Sequence, residues 1–449
     1  MTPYARRHFK RNFFLGIVNG ALVNFGLSFI EPFTVLPVFI SRLGGSSLLV
    51  GLASAVYSAG WFLPQAFVAR VVQSRRHALS IYTRMSVLRL AAYAGATVVV
   101  LRVDPAHATW MLAGVIGCFA LSTLSAGVAG LPFLEVTSKA IPVTSRGAFF
   151  GTRRLVGGAL GILAGVVVAV VLEGDGAAVA GGVVYSTVER ILTAVGLVGH
   201  HFPADYGVLF ALGAVFSAVG FGAFTLVREA PSPYVRAPVG LGGHVREGIA
   251  LLRNEPNFRR FFIVRGCWQL TAMAFPFYAT YAYRVLGFSQ SSVGVFLSVW
   301  VGSGVVSNTV WGALADRRGN RVVLVATAVV ALAAPLAILL LPEGTGGPSR
   351  AAFWVVSATF LLNGFARSGR FISNMTYLIE DAPEDRRAVH VGFMNTLSAP
   401  FMLSPVLGGA VAELFSFKAL FAVSALFAMV SIGLSASLSE PRHESTETA

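Results

Sequence analysis

Twelve apolar stretches, each long enough to cross a lipid bilayer, run the length of this 449-residue chain. A helix needs about 20 predominantly apolar residues to cross a hydrocarbon core roughly 30 Å thick. Inside lipid every backbone N–H and C=O must find a partner within the segment, which leaves only helices and closed barrels as spanning structures. The stretches lie at 13–39, 47–69, 79–101, 108–130, 154–173, 206–227, 260–284, 291–314, 321–341, 351–374, 389–412 and 417–437. None shows the alternation of a barrel strand, so the fold class read from the sequence is an all-α membrane protein with twelve transmembrane helices. The composition agrees. With 55% hydrophobic residues, 12% charged residues and a mean hydropathy of +0.72, the chain has too little polar surface for a soluble fold of this size.

The basic residues give the orientation. Of the 34 Lys and Arg, 24 fall in the even-numbered connections or the terminal segments, on the side of the N-terminus. Each opposite loop carries only one: Arg42, Arg102, Arg190, Arg284, Arg350 or Lys418. Positive charge collects on the cytoplasmic side, which predicts a multi-pass inner (plasma) membrane protein with both termini cytoplasmic. Topology and contact with anionic membrane lipid account for the formal charge of +14, so no nucleic-acid partner is required. The first span is too long for the apolar region of a cleavable signal peptide. Cys118 and Cys267 both fall within spans, giving neither a disulfide framework nor a metal cluster, and no cofactor is expected.

The second half repeats the first. Leu43-Gly44 and Val50-Gly51 recur as Leu286-Gly287 and Val293-Gly294, while Pro142, Arg146 and Gly151 recur as Pro383, Arg387 and Gly392. A repeat of this kind predicts two six-helix bundles related by a pseudo-twofold axis along the membrane normal, an arrangement suited to alternating access. The predicted units are an N-terminal bundle over 1–228, a cytoplasmic linker over 229–258, and a C-terminal bundle with a short tail over 259–449. The linker's second part, from His244 to Asn254, has helical spacing with basic residues on one face and is expected to lie on the membrane surface. Residues 178–205 include a plausible amphipathic helix, read mainly as packing on the outer surface, with a lid over the outer mouth as the alternative.

The most specific short motif is Gly312-Ala-Leu-Ala-Asp316-Arg317-Arg318-Gly319-Asn320-Arg321, between spans eight and nine. Gly312 is expected to permit close helix approach, Asp316 to accept charge-assisted bonds near a helix end, and Gly319 to make a tight turn. Arg317 and Arg321 are suited to anchor a gate and the lipid interface. The run resembles the G-x-x-x-D-R-x-G-x-R loop of the major facilitator superfamily. Its N-terminal counterpart keeps Arg70, Arg75 and Arg76 but lacks the glycines and the acid, a departure that weakens a symmetric gate. The resemblance implies a secondary active transporter that works by alternating access, with gating loops that also include Pro142, Arg146, Pro383 and Arg387. Substrate would contact walls formed by spans one, four, seven and ten. No nucleotide-binding loop is visible, so an ion or solute gradient is the expected energy source. No hydrolytic triad or metal cluster is recognisable, so the chain is not read as an enzyme. Two fused bundles make a monomer sufficient.

Ionisable groups are costly inside lipid and therefore mark function. Glu31, beside Pro32, is the one carboxylate well inside an apolar stretch, about 18 residues or roughly 27 Å along the first span. It is the proton-coupling candidate, with a structural bond at the outer gate and direct substrate recognition as the open alternatives. Arg89 and Arg367 lie too deep to reach the interface comfortably, whereas Arg84 and Arg265 are read as reaching it along their own stems. Asn24, Arg89, Gln269, Asn363 and Arg367 form the candidate substrate cavity. Aromatic residues such as Phe25, Phe29, Trp61, Phe275 and Trp300 either bind an amphiphile or fill the bundle. The leading reading is proton-coupled efflux of an amphipathic small organic solute. An organic-anion symporter or exchanger is the alternative, and a non-transporting receptor or structural protein is the alternative of a different class.

Overall fold

The computed structural model describes residues 3–64, 68, 71–72, 75–172, 182–231, 249–342, 349–382 and 387–440. Among these residues every regular element is helical. The order is α1 Pro3–Ser28, α2 Val35–Arg42, α3 Ser47–Phe62, α4 Leu79–Arg102, α5 Ala108–Ala140, α6 Val143–Val171, α7 Val183–Ala194 and α8 Ala204–Thr225, followed by α9 Pro256–Ala272, α10 Phe277–Arg284, α11 Ser292–Arg318, α12 Asn320–Leu339, α13 Arg350–Asp381, α14 Arg387–Ser398, α15 Ser404–Leu414 and α16 Phe417–Ala436. Eight helices among the described residues are long and apolar enough to cross a membrane. The other spans are shorter, interrupted or charged. The first breaks at Phe29–Thr34, around Pro32, and the seventh breaks between α9 and α10, before Pro276; the eleventh, one of the eight, passes through a short 3-10 segment, Ala399–Leu403, that contains Pro400. Proline removes an N–H and clashes with the preceding turn, so a break at each is its ordinary effect.

The chain forms two compact units. Unit 1 comprises Met1–Ser46, Val56–Val239 and Phe288–Ser298; unit 2 comprises Ser47–Ala55, Gly240–Gly287 and Val299–Ala449. The packing partners recur from one unit to the other. In unit 1, α4 packs on α5 and α8, and α1 packs on α8; in unit 2, α12 packs on α13 and α16, and α9 packs on α16. The expected surface helix of the linker lies largely outside the described residues; 249–254 of it are helical. In the outer segment, α7 is present and seats Tyr185 against Ala169 and Val170 of α6.

A glutamate placed four residues beyond the last helix of each half folds back onto the third span of the same half. Glu229 accepts from the backbone N–H groups of Ala78 and Leu79, both at 2.9 Å, at the start of α4. Lys139 donates to the same carboxylate at 2.8 Å. Glu440 accepts from the N–H of Arg321 at 2.9 Å, in the first turn of α12. The first N–H groups of a helix lack partners within it and carry a partial positive charge, so a carboxylate there satisfies both needs. Gly319 makes the second of these contacts possible. Its φ is +81°, and a Cβ built on it would stand 2.5 Å from the Glu440 carboxyl. The tight turn expected at Gly319 is therefore present. Gly319→Ala should destabilise unit 2 by about 1–2 kcal/mol through left-handed strain alone, and should displace Glu440. Hydrogen exchange at the Arg321 amide checks this, with faster exchange expected in the variant. At Gly312, where close approach is expected, no atom of the described residues lies within 4 Å of the position its Cβ would take.

Candidate functional site

Each unit carries polar side chains along its apolar helices, some buried and others, Asn24 and Arg367 among them, exposed. In unit 1, α1 and α6 interlock through facing glycines. Phe149 packs over Gly16 and Arg153 over Gly20, while Asn24 packs against Gly157. Side chains four apart share one helix face, so this is a single continuous seam. A Cβ at Gly20 would fall 2.0 Å from the Arg153 stem, so only glycine there lets the arginine lie in the groove. Nη1 of Arg153 donates to the Gly16 carbonyl and to Oδ1 of Asn19, both at 2.8 Å, and the guanidinium lies 4.5 Å over the Phe133 ring. The Asn19 amide donates in turn to the Tyr82 hydroxyl at 3.0 Å.

Two turns further along α4, Arg89 is 8% exposed. Its Nη2 reaches the Tyr93 hydroxyl at 3.5 Å, its guanidinium lies 4.6 Å over Phe221, and its buried Nε has no acceptor among the described residues. Glu31 sits in the break between α1 and α2, 6% exposed. One carboxylate oxygen accepts from the Phe33 N–H at 2.7 Å and from the Thr34 hydroxyl at 2.8 Å. Asn24 spends its amide on the Gly20 carbonyl.

In unit 2, Arg265 donates to Oδ1 of Asn395 at 2.8 Å rather than reaching an interface. Arg370 donates to the carbonyls of Ala366 and Trp268, at 3.3 and 3.4 Å, and its charged neighbour is Arg367. The Arg367 guanidinium lies 5.5 Å from the Trp300 ring. Gln269 donates to the Met402 sulfur at 2.8 Å, and Asn363 to the Thr359 carbonyl at 2.8 Å. The fold thus brings Arg265, Arg367 and Arg370 into one unit together with Gln269 and Asn363, and Arg89, Glu31 and Asn24 into the other.

The gating residues sit at helix ends. Arg146 ties the start of α6 to the end of α5 through the carbonyls of Ile141 and Ser138, and Pro142 immediately precedes α6. Arg75 and Arg76 are exposed ahead of α4, and the carbonyl of Arg76 accepts from Lys139 at 3.5 Å. Arg317 lies in the last turn of α11, Asp316 is exposed beside it, and Arg387 opens α14. Arg70 and Pro383 lie outside the described residues. At the other helix ends, Arg42 pairs with Asp205 at 3.2 Å and bonds Gln290 within unit 1; within unit 2, Glu413 accepts from the Ser47 N–H at 2.7 Å.

The sequence reading gives no role to Arg153, Asp205, Glu229 or Glu440. Arg153 counts there among the loop arginines. A signal for the glutamates exists, since each stands just past the last apolar stretch of its half.

Broken first and seventh spans, recurring helix partners and a glycine turn ahead of the ninth span describe a duplicated transporter fold. The family model of the Major Facilitator Superfamily matches residues 176–400 and 272–449, more than half of the chain. The chain belongs to the Major Facilitator Superfamily. No curated protein matches it in sequence. Among solved structures, the nucleoside transporter NupG superposes with a TM-score of 0.62 at 15% identity, covering 97% of this chain and 98% of that one. The D-xylose-proton symporter gives 0.65 at 13% identity, with coverages of 97% and 99%. A bacterial homologue of the human lysosomal transporter Spinster gives 0.65 at 14% identity, with 99% and 98%. At these identities the likeness establishes the fold: an all-α, multi-pass membrane protein of the superfamily's twelve-helix architecture. Membership makes it a transporter of small solutes.

Proposed function

We propose that this superfamily member is a secondary active transporter for a small organic anion, working by alternating access and coupled to protons through Glu31. The observation that carries the charge assignment is Arg370. It is half-buried on α13, its hydrogen-bond partners among the described residues are two backbone carbonyls, and the charge beside it is another arginine. Like charges three residues apart on one helix face repel, and an arginine held in low dielectric is costly without a counter-charge. A carboxylate or phosphoryl group on the solute would supply that charge, bound by the planar donor fork that guanidinium offers. Arg265, whose partner is the neutral Asn395, extends the same surplus. Proton-coupled efflux of an amphipathic compound is the second reading, favoured by the aromatic group of Phe275, Trp300 and Phe360 in unit 2. Inner-membrane location, cytoplasmic termini and a monomeric working state belong to the same proposal.

Flux in proteoliposomes tests it. Over a panel pairing organic carboxylates and phosphate esters with their neutral amides and alcohols, wild type is expected to move anions preferentially. Arg370→Gln should slow anion flux by about tenfold or more, equivalent to ~1.4 kcal/mol in the transport barrier, and should leave the neutral partners within about twofold. Equal loss for both members of a pair overturns the charge assignment. Absence of flux for every compound, combined with ligand binding from one side only, favours a receptor.

A further inference from the structure

We propose that the cleft between the start of α4 and the end of α8 in unit 1 binds the phosphate of an anionic membrane phospholipid, held by Arg84 and Arg228, with an acyl chain laid along the apolar outer faces of the same two helices.

The cleft has a volume of about 550 Å³, and its walls include Tyr4, His77, Ser80, Arg84, Arg228 and Glu229. Both arginines are exposed, and neither guanidinium has an acceptor among the described residues. The backbone that carries Arg228 is nevertheless fixed. Its N–H donates to Oδ1 of Asn12 and its carbonyl accepts from the Asn12 amide, both at 3.0 Å, and Asn12 is 1% exposed. Arg11 adds a third guanidinium at the same end of α8, donating to the Leu226 carbonyl at 2.9 Å.

The carboxylate in the wall does not compete for these arginines. Glu229 is ion-paired with Lys139 at 2.8 Å and caps the first amides of α4, with His77 3.9 Å away. Glu135, the other acid on this lysine, lies 3.1 Å from it. Arg84 and Arg228 are thus two cations facing one cleft with their donors available, complementary to a phosphate oxyanion. Basic pockets between membrane helices are the usual seats of anionic headgroups.

The pattern above the cleft selects a lipid as the source of the phosphate. On α4, Arg84, Val87, Ala91, Ala94, Val98 and Leu101 are all exposed, at alternating intervals of three and four residues. That spacing is one face of a helix, so Arg84 stands at the head of an apolar stripe. On α8, which packs against α4, Val215, Val219 and Leu226 are 55–58% exposed, and their stripe ends beside Arg228. Each stripe therefore runs from lipid into a guanidinium. A phospholipid matches both parts at once, whereas a soluble phosphate matches the arginines alone.

The site is independent of which solute is carried, so binding rather than flux tests it. Full-length protein in detergent is titrated with short-chain phosphatidylglycerol, phosphatidylcholine of the same chains, and glycerol 3-phosphate. Native mass spectrometry counts the bound ligand, and thermal unfolding of the same samples is the second readout. Wild type should bind phosphatidylglycerol at least about fivefold more tightly than either of the others and should unfold at a higher temperature in its presence. Arg84→Gln and Arg228→Gln should each weaken that binding by at least about fivefold and cancel the stabilisation. Arg84→Lys, which keeps the charge, should stay within about threefold of wild type. Arg102→Gln, at the opposite end of α4, should stay within about twofold. Hydrogen exchange of wild type keeps the test alive if the Gln variants do not fold. Phosphatidylglycerol should slow exchange at residues 79–84 and 226–229 and leave the Arg102 end unchanged. Gln variants within about twofold of wild type, an equal loss for phosphatidylcholine, the same loss in Arg102→Gln, or protection only elsewhere would each overturn the site. Glycerol 3-phosphate bound as tightly as the lipid would overturn the lipid assignment.

Discussion

Glu31→Gln is expected to cut accumulation driven by an imposed pH gradient several-fold or more while leaving solute counterflow in place. The substitution separates charge from structure because of how the carboxylate is used. The Phe33 N–H and the Thr34 hydroxyl converge on a single oxygen, and a glutamine carbonyl can accept both. The turn that breaks the first span therefore survives, while the group that exchanges a proton is gone. If protonation of Glu31 and solute binding stabilise different gate positions, their coupling is worth about 1–3 kcal/mol, or roughly 5–150-fold in affinity. The loss of gradient-driven accumulation should fall in that range. Uptake assays in proteoliposomes with an acid-inside or acid-outside jump measure it, with counterflow of labelled against unlabelled solute as the control. Unchanged accumulation in the variant eliminates Glu31 as the proton carrier. Glu31→Ala should lose both activities, since it also removes the acceptor of the turn.

The second large effect concerns stability. Glu229→Ala should lower the unfolding free energy by about 3–5 kcal/mol, the range for breaking a buried ion pair by removing one partner. The side chain of Glu229 is 2% exposed and that of Lys139 is 12% exposed, so solvent does little to replace the lost contact. The Ala78 and Leu79 N–H groups lose their acceptor at the same time, leaving the start of α4 uncapped. Glu229→Gln retains acceptors for those amides and loses the charge opposite Lys139, so it should lie between alanine and wild type. Thermal unfolding of the purified protein orders the three. A midpoint for the alanine variant within a degree or two of wild type would show that Lys139 and the helix start find other partners, and the brace would be without consequence.

The fold was legible because its cause is written in the chain. Apolar runs of about 20 residues can satisfy their backbones in lipid only as helices, and Pro32 and Pro276 mark breaks that any helix would show. The turn at Gly319 was legible for the same local reason. Gly312 was not, because close approach depends on which helix lies opposite, and among the described residues none comes within 4 Å of its Cβ position. Arg153 was misread more instructively. Its place in the sequence beside Arg146 and Arg154 suggests an inner loop, yet α6 begins at Val143, and the glycine groove of α1 draws the side chain inward. Arg265, read as reaching the interface, is likewise turned onto Asn395.

What the sequence by itself determined is the helix count, the duplication and the superfamily, since these depend on hydrophobicity and spacing along the chain. What only the tertiary structure decided is which charges have partners. Glu229 found Lys139 and two amides, Glu440 found the start of α12, and Asp205 found Arg42, whereas Arg89 and Arg153 met neutral acceptors and aromatic rings. The physical reason is range. Backbone satisfaction is settled within a few residues, but the worth of a buried charge depends on groups that approach within a few ångströms from anywhere in the chain.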